Sequence, residues 1–239
     1  MLFKNLDPIE KYRRRALRND IEYLSGRWQR HTEFVNRNIL ATVRVRPGSN
    51  VLDVGCGNGG LLGAMAGQIA SGIGIVPTDE ERALLERQPH PSNIHFRTAL
   101  ATELPFSSAA FHLTVFNGVI LLLRDLDEAE KAISELARVT KPDGLVWIGE
   151  ALIEKPAARS AFKTVAKVAK NARRLLAGKP IPVVRQLLVT PPAWITGCAG
   201  RHGLQLIHDR PHPMLDRDGQ HLISTSRHDF VLTAVSGAI

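Results

Sequence analysis

A buried strand followed at once by a glycine-dense loop is the feature that most constrains this chain. Residues 51–60 read VLDVGCGNGG, in which four glycines fall within six residues. A loop with so few Cβ atoms lets a bound molecule touch the backbone, and a helix starting near Gly60 aims free N–H groups at it. Strand, glycine loop and helix in this order are typical of an α/β sheet that binds its ligand beyond the strand ends.

Strand and helix patterns alternate along most of the chain. Residues 50–54, 72–76, 94–98, 113–116 and 145–149 have the pattern of strands, and residues 61–70, 80–88 and 126–140 that of helices. Two helices, 9–24 and 28–43, precede them, and a helix at 192–202 and strands at 204–209 and 229–235 follow. The KPDG segment at 141–144 predicts a turn. This alternation predicts a mostly parallel, seven-stranded sheet with helices on both faces.

The domain organisation follows from this pattern. We expect one domain over residues 1–239: an N-terminal helical cap at 1–46, a ligand-binding core at 47–150, a basic helical insertion at 151–191 and a C-terminal helix with strands at 192–239. Because Cys56 and Cys198 are the only cysteines, neither a disulfide framework nor a metal site is expected. With no apolar run of membrane-spanning length and no signal peptide, we expect a cytoplasmic protein.

The net charge of +8 is concentrated in one segment. Between Lys155 and Arg185 there are nine basic and no acidic residues, so the remainder carries 22 basic against 23 acidic residues. Within it, residues 159–176 fit an amphipathic helix whose cationic face carries Lys163, Lys167, Lys170 and Arg174. We expect this helix to act as a lid that meets an acidic carrier protein, an anionic membrane surface or a phosphorylated acceptor; nucleic acid fits less well.

Asp53 limits what the glycine loop can hold. Gly55, Gly57 and Gly60 also satisfy the dinucleotide fingerprint, but a carboxylate just before the first glycine repels a pyrophosphate and suits a cationic amino-acid cofactor. VLDVGCGNGG resembles motif I of the class I, Rossmann-like methyltransferases that use S-adenosylmethionine. ELPFSSAAFHLTVFNGVI and AISELARVTKPDGLVWIGE resemble two further motifs of that family, in the same order, and the likeness is to methyltransferase type 11 domains.

The resemblance implies a cofactor site and shows two departures. It implies that S-adenosylmethionine contacts residues at the carboxyl ends of the first four strands: Asp53, Gly55, Cys56, Gly57, Asn58, Val76, Pro77, Ala101, Thr102, Glu103 and Asn117. In the family an acidic residue reads the ribose hydroxyls and another reads adenine. Here Val76 and Leu100 stand at those positions, and Asp79, Glu80 or Glu103 could compensate.

The methyl acceptor and the catalytic residues are less constrained. In-line methyl transfer depends mainly on alignment, so an obvious catalytic dyad is not required. Asn117, Glu150 and His31 are the candidates for the catalytic site, whereas His112, at the start of a strand, is expected to be structural. We expect a methyltransferase acting on a small or carrier-bound, partly apolar or anionic acceptor. A catalytically inactive scaffold and a nicotinamide-dependent oxidoreductase are the alternatives.

Overall fold

The computed structural model describes residues 26–154, 187–215 and 219–235. These residues form, in chain order, α1 Gly26–Thr42, β1 Ser49–Val54, α2 Gly60–Met65, β2 Ile69–Val76, α3 Asp79–Glu86, β3 Ile94–Thr98, β4 Phe111–Asn117, α4 Leu126–Val139, β5 Thr140–Leu152, α5 Pro192–Arg201, β6 Leu204–Leu215 and β7 His221–Ala234. A short 3₁₀ turn at Ile120–Leu122 follows β4. The helix predicted at 9–24 and the basic helix predicted at 159–176 lie outside the described residues.

All seven strands form one sheet in the order β3-β2-β1-β4-β5-β7-β6. Strands β1 to β5 are parallel, and β7 runs antiparallel between β5 and β6. The chain moves outward from β1 in one direction to β3 and then crosses to β4 on the other side of β1. The strand order reverses between β1 and β4, and sheets of this kind bind ligands in the crevice at the carboxyl ends of the strands next to such a reversal. The predicted fold class is confirmed.

Helices cover both faces of the sheet, because alternate strand residues point to opposite faces. Trp147 packs in one hydrophobic cluster with Phe34 of α1, while the adjacent Ile148 packs in the other cluster with Ile133 of α4. Helix α4 illustrates the local cause. Its N-cap Asp125 accepts a hydrogen bond from the Glu128 N–H, and its buried residues recur at helical spacing along one side.

Several predicted bounds differ from the structure. Residues 141–144 do not form a turn outside the strand: β5 already begins at Thr140, and Phe111 faces Thr140 while Leu113 faces Leu145, so the extra residues bulge within the strand. Helix α2 ends at Met65, before the predicted residue 70, and β2 starts at Ile69. Glycines 63 and 67 lower the helix propensity of that segment. Strands β6 and β7 form a longer hairpin than predicted.

Among the helices that the structure describes, none combines the length and apolar character needed to cross a membrane.

Candidate functional site

Asp53 lies at the carboxyl end of β1, beside the glycine loop. Its side chain is 4% exposed, and desolvation by burial raises its pKa to about 7. Within residues 26–154, 187–215 and 219–235, no lysine or arginine forms an ion pair with it. A buried carboxylate without a cation is costly, so this position favours a ligand that brings a positive charge.

The glycine loop depends on conformations that other residues rarely adopt. Gly55, Gly57 and Gly59 have φ angles of 81°, 57° and 73°. A Cβ added to Gly55 would lie 2.3 Å from Cγ2 of Val119, so the loop after β4 presses directly on the glycine loop. Asn58 closes the turn by accepting a hydrogen bond from the Gly60 N–H at 3.1 Å. Glycine is required at Gly55 for two reasons: the backbone there is left-handed, and the loop after β4 approaches it closely.

The end of β2 contains the first departure from the family pattern. Val76 is 3% exposed and belongs to the cluster that contains Phe96, and its carbonyl accepts a hydrogen bond from the Ala99 N–H at 3.1 Å. Pro77 follows, and Thr78 then caps α3 by accepting a hydrogen bond from the Glu81 N–H at 3.2 Å. The backbone of this strand end is thus held in place, whereas the Val76 side chain is part of the core.

Acidic residues cluster just beyond Val76, in the first turn of α3. Thr98 donates a hydrogen bond to Asp79 Oδ1 at 2.7 Å, which places the Asp79 carboxylate next to the end of β3. Glu81 affects the Cys56 thiol of the glycine loop. Burial raises the pKa of Cys56 well above its usual range, and the charges of Asp53 and Glu81 raise it further. Glu81 is therefore close enough to influence the glycine loop electrostatically. Sequence analysis named its neighbours Asp79 and Glu80 and missed it.

The loop after β3 occupies the same edge of the sheet. Leu100 and Glu103 pair across a tight turn in which the Glu103 N–H donates to the Leu100 carbonyl at 3.1 Å. Leu100 is 40% exposed, Ala101 packs against the core, and Thr102 is half-buried. Topology thus brings this loop, the end of β2 and the glycine loop to one side of the crevice, as the resemblance implies.

Asn117 is the last residue of β4 and is fixed by a hydrogen bond. Its Oδ1 accepts from the indole Nε1 of Trp147 at 3.2 Å. The Gly118 N–H then donates to the Gly149 carbonyl at 3.0 Å, so the ends of β4 and β5 remain together. Val119, the next residue, contacts Gly55. Asn117 therefore lies where the loop after β4 and the glycine loop meet.

Glu150 lies in a β-bulge at the carboxyl end of β5. Ile148 pairs with Phe230 and Ala151 with His228, so three steps along β5 match two along β7. Glu150 absorbs the extra residue with a φ of 56°, a conformation that costs a non-glycine residue on the order of 1 kcal/mol. A bulge redirects a side chain. Here the Glu150 carboxylate comes near Gly118, with Oε2 3.7 Å from a Cβ built on that glycine.

The Glu150 carboxylate is the centre of a buried charge cluster. Arg227 donates from Nη1 to Oε2 at 2.7 Å, His212 Nε2 lies 3.4 Å from Oε1, and His31 Nε2 lies 3.8 Å from Oε1. Burial alone raises the pKa of Glu150. The two nearby histidines and the charges of His212 and Arg227 favour the ionised form, outweigh that effect and hold the pKa well below its usual range. Glu150 is therefore an ionised carboxylate and a very weak base.

His212 and Asp229 lie beneath Glu150 and are each 1% exposed. His212 Nδ1 donates to Asp229 Oδ1 at 2.7 Å, and the same oxygen accepts a hydrogen bond from the Glu150 N–H at 3.0 Å. Burial lowers the pKa of His212, but hydrogen bonds to Asp229 and Glu150 and their charges raise it to about 9. His212 is therefore an imidazolium at neutral pH, held between two carboxylates.

Sequence analysis selected Glu150 and His31 but missed His212, Asp229 and Arg227. The three missed residues are 62 to 79 positions from Glu150 along the chain and reach it only because β7 and β6 pair back beside β5. The available signal was weak: PHP at 211–213 and RHD at 227–229 place histidines and charged residues in segments that the structure shows as strands.

Two other histidine groups lie away from this cluster. His112 Nδ1 accepts a hydrogen bond from the Asn50 N–H at 2.9 Å, at the amino end of β4, which agrees with the structural role expected for it. Among the described residues, Glu130, Cys198 and His202 are the one group whose ligand atoms all lie within 4.8 Å of one another. Arg201 already pairs with Glu130 at 2.9 Å, and burial raises the pKa of the Cys198 thiol to about 11, so this group does not fit a metal.

The sheet order, the single reversed strand β7 and a glycine loop behind a buried acid at the end of β1 are features of the class I, Rossmann-like methyltransferase fold. Residues 52–148, about two fifths of the chain, match the family described as "Methyltransferase domain". The resemblance seen in the sequence is thereby confirmed.

The chain is similar to curated methyltransferases over part of its length. It is 31% identical over 130 residues to demethylmenaquinone methyltransferase from Symbiobacterium thermophilum, which covers 50% of this chain and 48% of that protein. The chain thus spans about half the length of such curated relatives.

Solved structures share the fold. The N-methyltransferase NodS from Bradyrhizobium japonicum, in complex with S-adenosylhomocysteine, has a TM-score of 0.58 at 16% identity over 95% of this chain and 99% of NodS. Magnesium protoporphyrin IX methyltransferase from Synechocystis, with bound S-adenosylhomocysteine, has a TM-score of 0.56 at 16% identity over 84% of this chain and 80% of that enzyme.

Proposed function

We propose that this protein is an S-adenosylmethionine-dependent methyltransferase. The observation that carries the proposal is Asp53, a buried carboxylate at the end of β1 whose pKa burial raises to about 7. S-adenosylmethionine has an α-ammonium group that supplies the missing cation, and it provides an activated methyl group on a sulfonium centre. Relatives of the same domain, and structural neighbours that hold S-adenosylhomocysteine, support this choice of cofactor.

The protein's contribution to such a reaction is mainly alignment. Gly55 and Gly57 let the methionine part of the cofactor lie against the backbone, and Asp53 fixes its ammonium end. Val119 connects the glycine loop to the ends of β4 and β5, where Asn117 and Glu150 face the crevice. Holding donor and acceptor in line can supply several kcal/mol of the barrier without a covalent intermediate.

The acceptor that we propose is a hydroxylated aromatic ring, such as a hydroquinone with an apolar tail. Curated relatives named demethylmenaquinone methyltransferase support a quinone-like acceptor. The reduced, hydroquinone form is the chemically reasonable one, because an oxidised quinone is too electron-poor to attack a methyl group. We also propose that the cationic residues of segment 159–176, which lies outside the described residues, contact an amphiphilic or anionic acceptor.

Calorimetry on the purified protein tests the cofactor. We expect S-adenosylmethionine and S-adenosylhomocysteine to bind with micromolar dissociation constants and NAD not to bind. Binding of NAD alone, or of none of the three, contradicts the proposed function. Asp53→Ala is the informative variant. Loss of one charged partner should weaken binding of S-adenosylmethionine at least tenfold, which corresponds to about 1.4 kcal/mol.

A transfer assay tests the acceptor. Radiolabelled S-adenosylmethionine is incubated under reducing conditions with a short-chain 2-prenyl-1,4-naphthohydroquinone, with catechol and with a primary amine of similar size. We expect label to appear in a hydroxylated ring. Transfer to the amine alone contradicts the proposed acceptor class but leaves the methyltransferase assignment intact.

A further inference from the structure

The bulge at Glu150 directs a charged group toward the crevice. The Glu150 side chain approaches Gly118, and Val119, the next residue, contacts Gly55 of the glycine loop. Glu150 is thus separated from the proposed cofactor site by one short loop. Glu150 has a left-handed backbone conformation, which glycine would adopt at a lower energetic cost. The presence of glutamate at this bulge therefore indicates a role for its side chain.

Helix α1 brings a second group to the same place. On α1, Asn36 lies against the glycine loop, since its Nδ2 is 3.3 Å from a Cβ built on Gly60. His31 is five residues earlier on the same helix, a distance of about 8 Å along the axis. Its Nε2 lies 3.8 Å from Glu150 Oε1, and its side chain is 26% exposed. One helix therefore spans from the glycine loop to Glu150.

We propose that His31 and Glu150 form the acceptor-activating pair of this protein: His31 is the base that removes the hydroxyl proton of a phenolic or hydroquinone acceptor, and Glu150 orients its imidazole. This inference rests on the proposed methyltransferase function. The distance of 3.8 Å is longer than a hydrogen bond, as is common for catalytic pairs before the substrate binds.

The charges decide which member of the pair takes the proton. The depressed pKa of Glu150 makes it too weak a base for a phenol, but it keeps a negative charge beside the imidazole. A carboxylate has about four lone-pair sites, so Glu150 can accept from His31 while Oε2 binds Arg227. Among the described residues, the imidazolium of His212 also lies beside Glu150, and Asp229 pairs with His212 and with Arg210. His212 and Asp229 act as positioning residues through Glu150.

The proposed step balances without another reactant. The acceptor's O–H bond breaks, and its proton moves to the imidazole of His31. The electron pair left on oxygen forms the new bond to the methyl carbon, either at oxygen or, through the ring of a hydroquinone, at a ring carbon. After attack at carbon, the ring carbon loses its hydrogen as a proton and the oxygen is protonated again, which restores the hydroquinone. The bond between sulfur and that carbon breaks with its electrons on sulfur, which gives neutral S-adenosylhomocysteine. His31 leaves the step as an imidazolium next to the Glu150 carboxylate.

Turnover of the naphthohydroquinone by His31→Ala and by a matched control tests the pair. We expect His31→Ala to lose about 100-fold or more in kcat, to keep its dissociation constant for S-adenosylmethionine within about twofold, and to recover activity with added imidazole. His95→Ala, on the exposed side of β3, is the control and should be unchanged. Glu150→Gln should reduce kcat about tenfold or more and shift the acid limb of the pH–rate profile, which a merely structural role would not move.

A second measurement needs no turnover. The protein with bound S-adenosylhomocysteine is titrated with 4-nitrocatechol, whose phenolate form is measured by its absorbance. We expect wild-type protein to bind it with a larger phenolate fraction at pH near 6 than free solution contains, and His31→Ala to lose that excess.

Three outcomes overturn the inference: no binding of nitrocatechol, equal ionisation in both proteins, or a kcat of His31→Ala within about threefold of wild type. Failure of the proposed function is distinguished from these, because it appears as loss of S-adenosylmethionine binding in the wild-type protein itself.

Discussion

Asp229 accepts a hydrogen bond from the backbone N–H of Glu150 at 3.0 Å. This contact satisfies the one N–H that the bulge in β5 would otherwise leave without a strand partner. The same carboxylate oxygen accepts from His212, so the backbone conformation of Glu150 and the charge state of a buried histidine are linked.

His212 should make the protein less stable as pH rises. Its pKa is raised from 6.5 to about 9 in the folded state, so its stabilising contribution is fully present below about 6.5 and is lost as pH rises through 9. Urea titrations of wild type should show the free energy of unfolding falling by about 3 kcal/mol over that window. His212→Gln should be less stable at pH near 6.5 and show a much flatter profile, whereas His95→Gln should follow wild type. A steep profile in His212→Gln argues against this origin.

Asp53→Asn should separate stability from binding. Burial raises the pKa of Asp53 from 3.8 to about 7, so ionising it costs stability between these values, up to about 4 kcal/mol at pH above 7. The variant removes this cost: without cofactor it should melt higher at pH near 8, yet bind S-adenosylmethionine at least tenfold more weakly.

The pH dependence of binding provides an independent check on Asp53. Because an ionised Asp53 is the form that accepts an ammonium group, wild-type affinity for S-adenosylmethionine should tighten roughly tenfold from pH about 5.5 to about 7. Asp53→Asn should lose this dependence. Equal slopes in both proteins place the titrating group elsewhere.

Two glycine-to-alanine variants should have opposite effects on stability. Gly55 has a φ of 81°, and an added Cβ would lie 2.3 Å from Val119 Cγ2, so Gly55→Ala should destabilise by roughly 1–3 kcal/mol. Gly63 lies in α2, and a Cβ there meets nothing within 4 Å, so Gly63→Ala should stabilise by up to about 1 kcal/mol. The stability of both variants is measured by thermal unfolding monitored by circular dichroism. A stable Gly55→Ala shows that the two loops can move apart.

Cys56 should be an unreactive thiol in the folded protein. It is buried, and burial together with the charges of Asp53 and Glu81 raises its pKa well above the usual range. In a Cys198→Ser background, labelling by an aromatic disulfide reagent at pH near 8 should be at least 100-fold slower than in urea. S-adenosylhomocysteine should slow it further. Rapid labelling of the folded protein contradicts the closed glycine loop.

The parts of this structure that the sequence predicts are those encoded over short distances. Asp53 and Gly55 are two residues apart, and a strand followed by glycines restricts the local backbone to few conformations. Glu150 is a predictable candidate for the catalytic site because it directly follows the strand pattern at 145–149. Its partners His212 and Asp229 are 62 and 79 residues away, and their contact depends on a hairpin whose register no local pattern specifies.

Local propensity also misplaced some boundaries. Residues 141–144 have turn chemistry, but they bulge within β5 between Thr140 and Leu145, which both pair with β4, and Asp143 there has a φ of 61°. In β6 and β7, polar and aromatic residues alternate without a clear apolar face, since much of β6 is exposed at the edge of the sheet. Pairing with neighbouring strands determines the bounds of β5, β6 and β7, and local propensity alone does not predict them.

Because β7 runs in the reverse direction, the proposed cofactor side and the proposed acceptor side of the site are built from different parts of the chain. Residues that face the proposed cofactor come from the first four strands, whereas Arg227 and Asp229 reach the acceptor side from the far end of the chain because β7 returns alongside β5. The shared domain, residues 52–148, stops two positions before Glu150. Under the proposed function, we therefore expect mutations in β6 and β7 to change the choice of acceptor and to leave cofactor binding intact, so that the β6–β7 hairpin, and not the glycine loop, determines which compound is methylated.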